Sequence, residues 1–340
     1  MHMADALLSP VVGGCFWVVS GALIGYSAKK IAQEKDISKT PLMGVMGAFI
    51  FAAQMINFTI PATGSSGHLG GGLLLAILLG PYRAFITLAS ILVIQCLIFA
   101  DGGILALGCN IFNMAFLPSF IAYPLIYRRL AKNNLKPLRL AAASILAAEV
   151  GLLLGAFFVV LQTSVSGISE LPFKTFTLFM IPIHSAIGIV EGLVTWGVVS
   201  FVSKTEPALL VPDAGNEIPK KIIAVFVFCT IVTGGLFCLF ASSKPDGLEW
   251  SIEKVVDNRS LSTSGNAHSL LASVQEKLSF LPDYSFRSDQ GLTNEEVGIG
   301  SAISLDKSVS GIVGSIFVLI SAMGIGFFLR GRIAKLRQKA

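Results

Sequence analysis

The sequence predicts an all-α polytopic membrane protein with about nine transmembrane helices. Of its 340 residues, 54% are hydrophobic and only 13% are charged, which leaves too little polar surface to cover soluble domains of that length. Its apolar runs recur at close to the ~20 residues that a helix needs to cross ~30 Å of hydrocarbon. The nine runs lie at 11–28, 42–60, 69–80, 84–100, 104–127, 138–161, 173–202, 220–241 and 310–329.

The run 69–80 leaves the number of spans at nine or eight. It is shorter than a full span and begins near three successive glycines, Gly70, Gly71 and Gly72. A short run of this kind also fits a half-helix that packs closely against its neighbours.

The distribution of basic residues predicts an extracytoplasmic N-terminus. If nine spans alternate, the inner segments contain 18 of the 25 Lys and Arg residues, and six of the remaining seven lie in the long stretch 242–309. Length weakens the charge rule in such a stretch. The rule places Met1 outside and the tail Arg330–Lys339 in the cytoplasm. We expect the chain to lie in the inner (cytoplasmic) cell membrane. The opening M-H-M-A-D-A-L-L-S-P has no basic n-region, so no cleaved leader is expected.

Composition divides the chain into two units. We expect a first unit at 1–202 with seven spans, a Pro-containing cytoplasmic linker at 203–219, and a second unit at 220–340 with two spans. The second unit contains the polar, Ser-rich stretch 242–309, which has turn signals such as Pro245-Asp246-Gly247. We predict that this stretch is a partly ordered extracytoplasmic loop.

The first two residues have the chemistry of a metal chelate. A bulky His2 prevents the removal of Met1, so a free α-amine is expected at Met1. This amine, the deprotonated amide nitrogen of His2 and the ring Nδ1 of His2 can close fused five- and six-membered rings around one ion. A fourth nitrogen would complete a square plane, which favours Ni(II) or Cu(II).

His68, in the segment G-S-S-G-H-L-G-G-G, is the candidate for the fourth nitrogen because the predicted topology places it on the same membrane face as Met1. Ser65 and Ser66 are expected to orient its ring through hydrogen bonds. Further polar residues lie at a similar depth and form either a pocket beneath the metal or interhelical hydrogen bonds. They are Asp101, Asn110 and Asn113, together with Gln54, Asn57 and Gln95.

His184 and Glu191 lie seven residues apart in one predicted span and can share a side of the helix. For His184 we favour a structural hydrogen bond over metal transit. An alternative mechanism, an ion-gradient-driven secondary transporter, would use both residues and Asp101 as a proton path. His268 has no predicted role, and the five cysteines are interpreted as small buried hydrophobic residues.

Several motifs resemble a known family. They are M-H-M-A-D-A-L-L-S-P, G-S-S-G-H-L-G-G, F-A-D-G-G-I-L-A-L-G-C-N-I-F-N-M and I-P-I-H-S-A-I-G-I-V-E-G-L-V-T. Together they resemble the substrate-binding subunits of energy-coupling-factor nickel and cobalt transporters, the NikM/CbiM family. The second unit, with P-D-G-L-E-W and L-P-D-Y, resembles the small companion subunit, so the whole chain is similar to the fused NikMN type.

The resemblance implies that Ni²⁺ or Co²⁺ is the transported substrate. It implies that the ion is held by the amine and amide at Met1 and His2, by the His2 ring and by the His68 ring. It also implies two kinds of partner, a transmembrane coupling subunit and cytoplasmic ABC ATPase subunits. The chain itself contains no G-x-x-x-x-G-K-[ST] loop to hold ATP, and neither enzymatic activity nor a nucleic-acid partner is expected. The opening motif and the square-planar argument favour nickel over cobalt.

Overall fold

Helices dominate a computed structural model of the chain, which describes residues 1–34, 39–131, 136–210, 219–256, 265–286 and 305–337. In chain order they are α1 (Pro10–Gln33), α2 (Lys39–Gln54), α3 (Gly72–Leu79), α4 (Pro81–Phe99), α5 (Leu107–Ala131), α6 (Pro137–Ser166), α7 (Phe173–Thr205), α8 (Lys220–Phe240), α9 (Gly247–Val255), α10 (Asn266–Leu278) and α11 (Leu305–Arg337).

Seven of the described helices are long and apolar enough to cross a membrane, namely α1, α4 to α8 and the part of α11 at Leu305–Leu329. The chain is therefore a multi-pass membrane protein. The helix α2 has 16 residues and α3 has eight, so at 1.5 Å per residue they extend about 24 Å and about 12 Å. The short α3 is the half-helix that was one of the two predictions for the run 69–80.

Local sequence explains where several helices begin and end. The Ser9 hydroxyl accepts a hydrogen bond from the Val12 amide at the start of α1, and prolines begin α4 and α6. Proline suits this first position because it has no N–H to leave unpaired. Within α5 the turns widen to a π type over Phe112–Tyr127, a stretch that contains two prolines, because a proline removes a helical hydrogen bond.

The chain between α2 and α3 is not helical, so the predicted run 42–60 extended six residues too far. The helix ends at Gln54, and two residues of β1 (Phe58–Thr59) then pair antiparallel with β2 (Ser66–Gly67). The run is apolar through residue 60, and apolar content alone does not distinguish a buried strand from a buried helix. This small β-pair brings His68 to the start of α3.

The second unit packs into the first. The helix α11 lies along α2, and α8 also contacts α2, while α6 and α7 form the most extensive helix pair of the bundle. The Ser315 hydroxyl of α11 donates a hydrogen bond to the Ala48 carbonyl of α2 at 3.3 Å. Glycines support this approach, because small residues let two helix backbones come close together within a membrane.

The stretch 242–309 contains two short helices. Helices α9 and α10 lie within it, whereas residues 257–264 and 287–304, like 211–218 of the predicted linker, are outside the described residues. Asp246 begins α9 in a capping box. Its Oδ1 accepts hydrogen bonds from the amides of Leu248 and Glu249 at 2.8 and 2.9 Å, while Glu249 Oε2 accepts one from the Asp246 amide at 3.0 Å. The Pro-Asp-Gly segment is therefore a helix start and not a simple turn.

The contact between α2 and α11 can be tested with two glycines of α11. A methyl group on Gly314 would lie 2.1 Å from Cζ of the buried Phe51, whereas none of the described atoms lies within 4 Å of the same position on Gly324. We expect Gly314→Ala to lower the free energy of unfolding by about 1–3 kcal/mol through overpacking. Gly324→Ala should leave it unchanged or slightly raised, because alanine is the better helix former. Thermal unfolding of the detergent-solubilised chain measures both, and equal midpoints would contradict the packing described.

Candidate metal site

The residues before α1 are buried in the helical bundle, and Asn110 holds their backbone. The side chain of Met3 is fully buried. The Met3 amide donates a hydrogen bond to Asn110 Oδ1 at 2.8 Å, and Asn110 Nδ2 donates one to the Met3 carbonyl at 3.2 Å. The Gly103 amide also donates to this carbonyl, at 2.9 Å. These bonds fix the position of the backbone just after Met1 and His2.

The D-G-G segment after α4 allows the N-terminal residues to come this close. A Cβ on Gly103 would lie 1.8 Å from Oδ1 of Asp5 and 2.5 Å from its amide nitrogen. Asp5 Oδ1 in turn accepts a hydrogen bond from the Ala106 amide at 2.9 Å. Only glycine, which has no Cβ, permits such close backbone contact at position 103.

The Met1 amine and the His68 ring come together, although 67 residues separate them. The Met1 nitrogen lies 3.4 Å from His68 Nε2, and the rings of His2 and His68 stack with centroids 5.4 Å apart. His68 Nδ1 lies 3.2 Å from the Leu69 carbonyl. Because a carbonyl only accepts hydrogen bonds, Nδ1 carries the proton and Nε2 presents its lone pair.

The distance between these two nitrogens is close to what one shared ion requires. With metal–nitrogen bonds of about 2.0 Å, two adjacent corners of a square plane lie about 2.8 Å apart. The Met1–His68 distance of 3.4 Å exceeds that by roughly half an ångström, which a small side-chain movement covers.

Asp246, from the second unit, lies directly against both groups. Its Oδ2 is 2.8 Å from the Met1 amine and 3.7 Å from His68 Nε2. Burial would raise the pKa of Asp246, but the charge of the Met1 amine outweighs it and holds this pKa well below its usual range. Asp246 was not predicted as a site residue, because its only local signal, the capping box, accounts for Oδ1 and leaves Oδ2 unassigned.

Two glutamines determine which nitrogen of His2 carries a proton. Gln54 Nε2 donates a hydrogen bond to the Gly70 carbonyl at 2.8 Å, and Gln95 Nε2 donates one to Gln54 Oε1 at 2.9 Å. Gln95 Oε1 then lies 3.0 Å from His2 Nε2. Since the Gly70 carbonyl only accepts, each amide has one possible orientation and His2 Nε2 must be the donor. The ring Nδ1 of His2, the chelating atom, is left without a proton in the neutral ring.

The surroundings of His2 Nδ1 favour a cation there. Asp101 Oδ1 lies 3.3 Å from Nδ1, and Asp101 Oδ2 accepts a hydrogen bond of 2.5 Å from the Tyr284 hydroxyl. Burial, which outweighs the Asp101 carboxylate, lowers the pKa of His2 to about 4. Near neutral pH the ring is therefore unprotonated at Nδ1, and a metal ion can occupy the position that the carboxylate favours.

These residues border a cavity of about 340 Å³, and both units line it. Four of the six polar residues predicted to lie at this depth contribute, together with both histidines and part of the second unit. The lining includes His2, Gln54, Asn57, His68, Gln95, Asp101, Lys244, Asp246, Glu249, Asp283, Tyr284 and Lys307. Asn110 is not part of this lining and holds Met3, whereas Asn113 exchanges hydrogen bonds of 2.7 and 3.0 Å with Gln162 of α6. Asn113 therefore makes the interhelical contact that was its alternative interpretation.

Ser65 and Ser66 do not orient the His68 ring, so that prediction was wrong. The Ser66 hydroxyl donates to the Lys244 carbonyl at 2.8 Å, and the Ser65 hydroxyl lies 3.3 Å from the Pro245 carbonyl. The physical reason is that the Leu69 carbonyl already accepts the His68 N–H. The two serines instead hold the segment of the second unit that leads to Asp246.

The other singled-out residues have separate partners. Glu191 accepts hydrogen bonds from the amides of Gly70 and Gly71 at 2.8 and 3.1 Å, at the start of α3. His184 Nδ1 lies 2.8 Å from the Met180 carbonyl, and His268 Nε2 lies 2.9 Å from the Leu8 carbonyl. His268 thus links the second unit to the N-terminal residues, a contact that was not predicted from the sequence.

Among the cysteines, Cys96, Cys109 and Cys238 are buried, but Cys15 is exposed.

Side chains alone do not form this site. Among the described residues, no group of three or more His, Cys, Asp or Glu side chains is arranged to hold a metal ion. The backbone nitrogens of Met1 and His2 remain the further donors that the chelate chemistry predicts.

Comparison with known proteins identifies two families along the chain. Residues 2–209 match the model described as the cobalt uptake substrate-specific transmembrane region, CbiM, and residues 220–331 match the PDGLE domain. A relative from Archaeoglobus fulgidus, provisionally named a fused nickel transport protein, NikMN, is 37% identical over 241 residues, which are 71% of this chain and 77% of the relative.

Two further comparisons agree with the first. A cobalt transport protein, CbiM, from Clostridium tetani is 32% identical over 215 residues, or 60% of this chain and 85% of that protein. The crystal structure of a truncated transition metal transporter is 31% identical to this chain. The structural match covers 60% of this chain and 99% of the transporter chain, with a TM-score of 0.53.

The glutamine pair can be tested through the affinity for Ni²⁺. We expect Gln95→Leu to weaken binding by about 10–100-fold, because the outer hydrogen bond that fixes the His2 tautomer is lost. Gln95→Glu keeps an acceptor for His2 Nε2 and should bind more tightly than the leucine variant. Calorimetric titration of the purified chain measures both, and an unchanged affinity in Gln95→Leu would show that the glutamines do not govern His2.

Proposed function

We propose that this chain, which belongs to the CbiM family of cobalt uptake substrate-specific transmembrane regions and ends in a PDGLE domain, captures Ni²⁺ for import. The family match confirms the resemblance noted in the sequence motifs, and the named relatives are transport proteins, so the chain is a transport subunit and not an enzyme. The observation that carries the nickel site is the 3.4 Å approach of the Met1 amine to His68 Nε2.

The proposed ligands are four nitrogens with Met1 as the mature N-terminus. They are the Met1 amine, the deprotonated amide of His2, His2 Nδ1 and His68 Nε2. The hydrogen bonds of both rings support this set, because each ring donates its proton elsewhere and has one lone pair left. Binding releases protons from the amine and the amide, so the ion replaces them in the site.

Asp246 balances the charge of the occupied site. A divalent ion with one deprotonated amide has a net charge of +1, and burying an unpaired charge costs several kcal/mol. In the metal-free chain the Asp246 carboxylate pairs with the Met1 ammonium. In the occupied site it neutralises the ion, so the same residue serves both states.

Nickel is the substrate that four nitrogens in a square plane favour. Co²⁺ is the alternative substrate, and relatives named for nickel and for cobalt both occur among those compared. The same nitrogens would hold Co²⁺, with Asp246 near enough to provide an oxygen ligand that cobalt accepts more readily than a square-planar nickel ion does.

The proposed transporter is an energy-coupling-factor ABC importer in the cell membrane. The distribution of basic residues supports an extracytoplasmic Met1, so the 340 Å³ cavity that His2 lines faces the extracytoplasmic side. Energy would come from cytoplasmic ATPase partners through a transmembrane coupling subunit, since the chain has no P-loop. The alternative, an ion-gradient-driven transporter with a proton path through Asp101, His184 and Glu191, is less well supported because these residues bond to three separate partners and not to one another.

Nickel uptake should depend on the free amine and both histidines. We expect His2→Ala, His68→Ala and an alanine placed ahead of Met1 each to abolish the uptake of radioactive nickel by cells that express the partner subunits. Each change removes or displaces one nitrogen ligand. Cys109→Ser, at a buried position that does not line the cavity, is the control and should transport normally.

Immunoblots of membrane fractions establish that every variant inserts. Full uptake by any of the three site variants would contradict the proposed ligands. Uptake that persists after deletion of the ATPase subunits would contradict the proposed energy source and favour the gradient-driven alternative.

The role of Asp246 can be tested without disturbing α9. We expect Asp246→Asn to weaken Ni²⁺ binding about tenfold or more, equivalent to about 1.4 kcal/mol or more, because the bound ion loses its counter-charge. Asparagine is a good N-cap residue, so the start of α9 should persist. Glu249→Gln is the matched control, because it removes a carboxylate from the same cavity while keeping the capping box. Equal affinities for both variants would refute the charge-balance argument.

A further inference from the structure

Glu191 is a buried acidic residue inside a membrane-spanning helix. It is 4% exposed and lies within α7. An acidic side chain is costly in such a position and is retained mainly where it has a function. Its Oε2 accepts a hydrogen bond from the Gly70 amide at 2.8 Å, and its Oε1 accepts one from the Gly71 amide at 3.1 Å. The function of Glu191 therefore depends on what these two amides are connected to.

The Gly70 amide belongs to the peptide group that also contains the Leu69 carbonyl. The described peptide bonds are trans, and in a planar trans peptide the N–H and the C=O point in opposite directions. The Leu69 carbonyl lies 3.2 Å from His68 Nδ1 and accepts its hydrogen bond. By holding the N–H on one side, Glu191 fixes the direction of the carbonyl on the other. This carbonyl determines that His68 keeps its lone pair at Nε2.

The next peptide group links the same carboxylate to the other imidazole. It contains the Gly71 amide, which donates to Glu191, and the Gly70 carbonyl, which accepts a hydrogen bond from Gln54 at 2.8 Å. That hydrogen bond begins the chain through the second glutamine to Nε2 of His2. One carboxylate thus orients two successive peptide groups, and the carbonyl of each group governs one of the two rings.

We propose that Glu191 is a positioning residue for both imidazole ligands, because it fixes the donor nitrogens of His68 and His2 through these two peptide groups. The inference rests on the proposed function, in which both rings bind the ion. A carboxylate suits the role because it offers two acceptor oxygens, whereas an amide side chain would turn its NH₂ toward one of the N–H groups. Glycine at position 70 suits it too, since a Cβ there would lie 3.1 Å from Glu191 Oε2.

NMR of isotope-labelled histidine ring nitrogens in the metal-free full chain tests this role without nickel. Above neutral pH, the unmodified chain should show His2 protonated at Nε2 and His68 protonated at Nδ1. We expect Glu191→Gln to give mixed tautomers of both rings, because one of the two amides loses its acceptor. His184 is an internal control, since the Met180 carbonyl holds its proton independently, and its tautomer should not change.

Glu149→Gln is the matched control variant. Glu149 is a carboxylate of the neighbouring membrane-spanning helix α6, where it accepts a hydrogen bond from the Ser185 hydroxyl. The substitution makes the same chemical change within the bundle but touches neither peptide group. We expect it to leave the tautomers of His2 and His68 as they are in the unmodified chain.

Calorimetric titration with Ni²⁺ measures the consequence for the ligands. We expect Glu191→Gln to weaken binding about tenfold or more, and by more than Gln95→Leu, which breaks only the connection to His2. In a chain that already carries His68→Ala and Gln95→Leu, Glu191→Gln should change the affinity by less than about twofold, because both connections are already lost. A merely structural role would cost the same affinity in either background.

Unchanged tautomers of both rings in Glu191→Gln would overturn the inference, and so would equal losses of Ni²⁺ affinity in the two backgrounds. Should this variant fail to insert, Glu191→Asp is the second variant. It keeps the charge but is one carbon too short to reach both amides, so it should also give mixed tautomers. Failure of the proposed function is distinguishable, because the unmodified chain would then bind no Ni²⁺, while the tautomers of the metal-free chain would still decide whether Glu191 governs both rings.

Discussion

The burial of the Met1 amine among helices is the constraint on which the rest of the site depends. A buried ammonium loses several kcal/mol of hydration, and the structure compensates with the Asp246 carboxylate at 2.8 Å. Asp246 can pair with the amine because its two carboxylate oxygens have different partners. Oδ1 caps α9 through two backbone amides, which fixes the carboxylate, and Oδ2 is left for the amine. The helix start thus stabilises the carboxylate and aims its free oxygen at the chain terminus.

Backbone carbonyls set the protonation of the three histidines near the site. The Leu69 carbonyl accepts a hydrogen bond from His68, and the Met180 carbonyl accepts one from His184. The Gly70 carbonyl fixes the donor nitrogen of His2 through the hydrogen bonds of Gln54 and Gln95. In each ring one nitrogen is committed as a donor, so the other keeps its lone pair. Carbonyls cannot reverse this role, so the fold determines which nitrogen has the lone pair when the ring is neutral.

Hydropathy located the seven described helices that are long and apolar enough to cross a membrane, because each coincides with a predicted apolar run. The two other runs, 42–60 and 69–80, overlap the shorter helices α2 and α3. Hydropathy failed at residues 55–60, where apolar side chains belong to a β-pair and composition does not report the backbone conformation. The proposed ligands Met1, His2 and His68 were selected from chelate chemistry combined with the charge rule, both of which can be applied to the sequence alone, and the structure places the Met1 amine 3.4 Å from His68 Nε2. The contacts of Asp246, Ser65 and Ser66 were not predictable in the same way. These contacts join segments about 180 to 245 residues apart. A local signal such as a capping box indicates only the partners that are close in sequence.

The second unit completes the site from both sides of the stacked imidazoles. Asp246 lies beside the Met1 amine and His68, and Tyr284 holds Asp101, whose other oxygen lies 3.3 Å from His2 Nδ1. Both carboxylates that set the charge around the ligands therefore depend on the second unit. A covalent link through 203–219, together with the packing of α11 on α2, keeps these groups at a high effective concentration beside the N-terminus. Because an ion held by the proposed ligands would displace the Met1 amine from Asp246, the second unit contributes a carboxylate to both the empty and the occupied states of the proposed site.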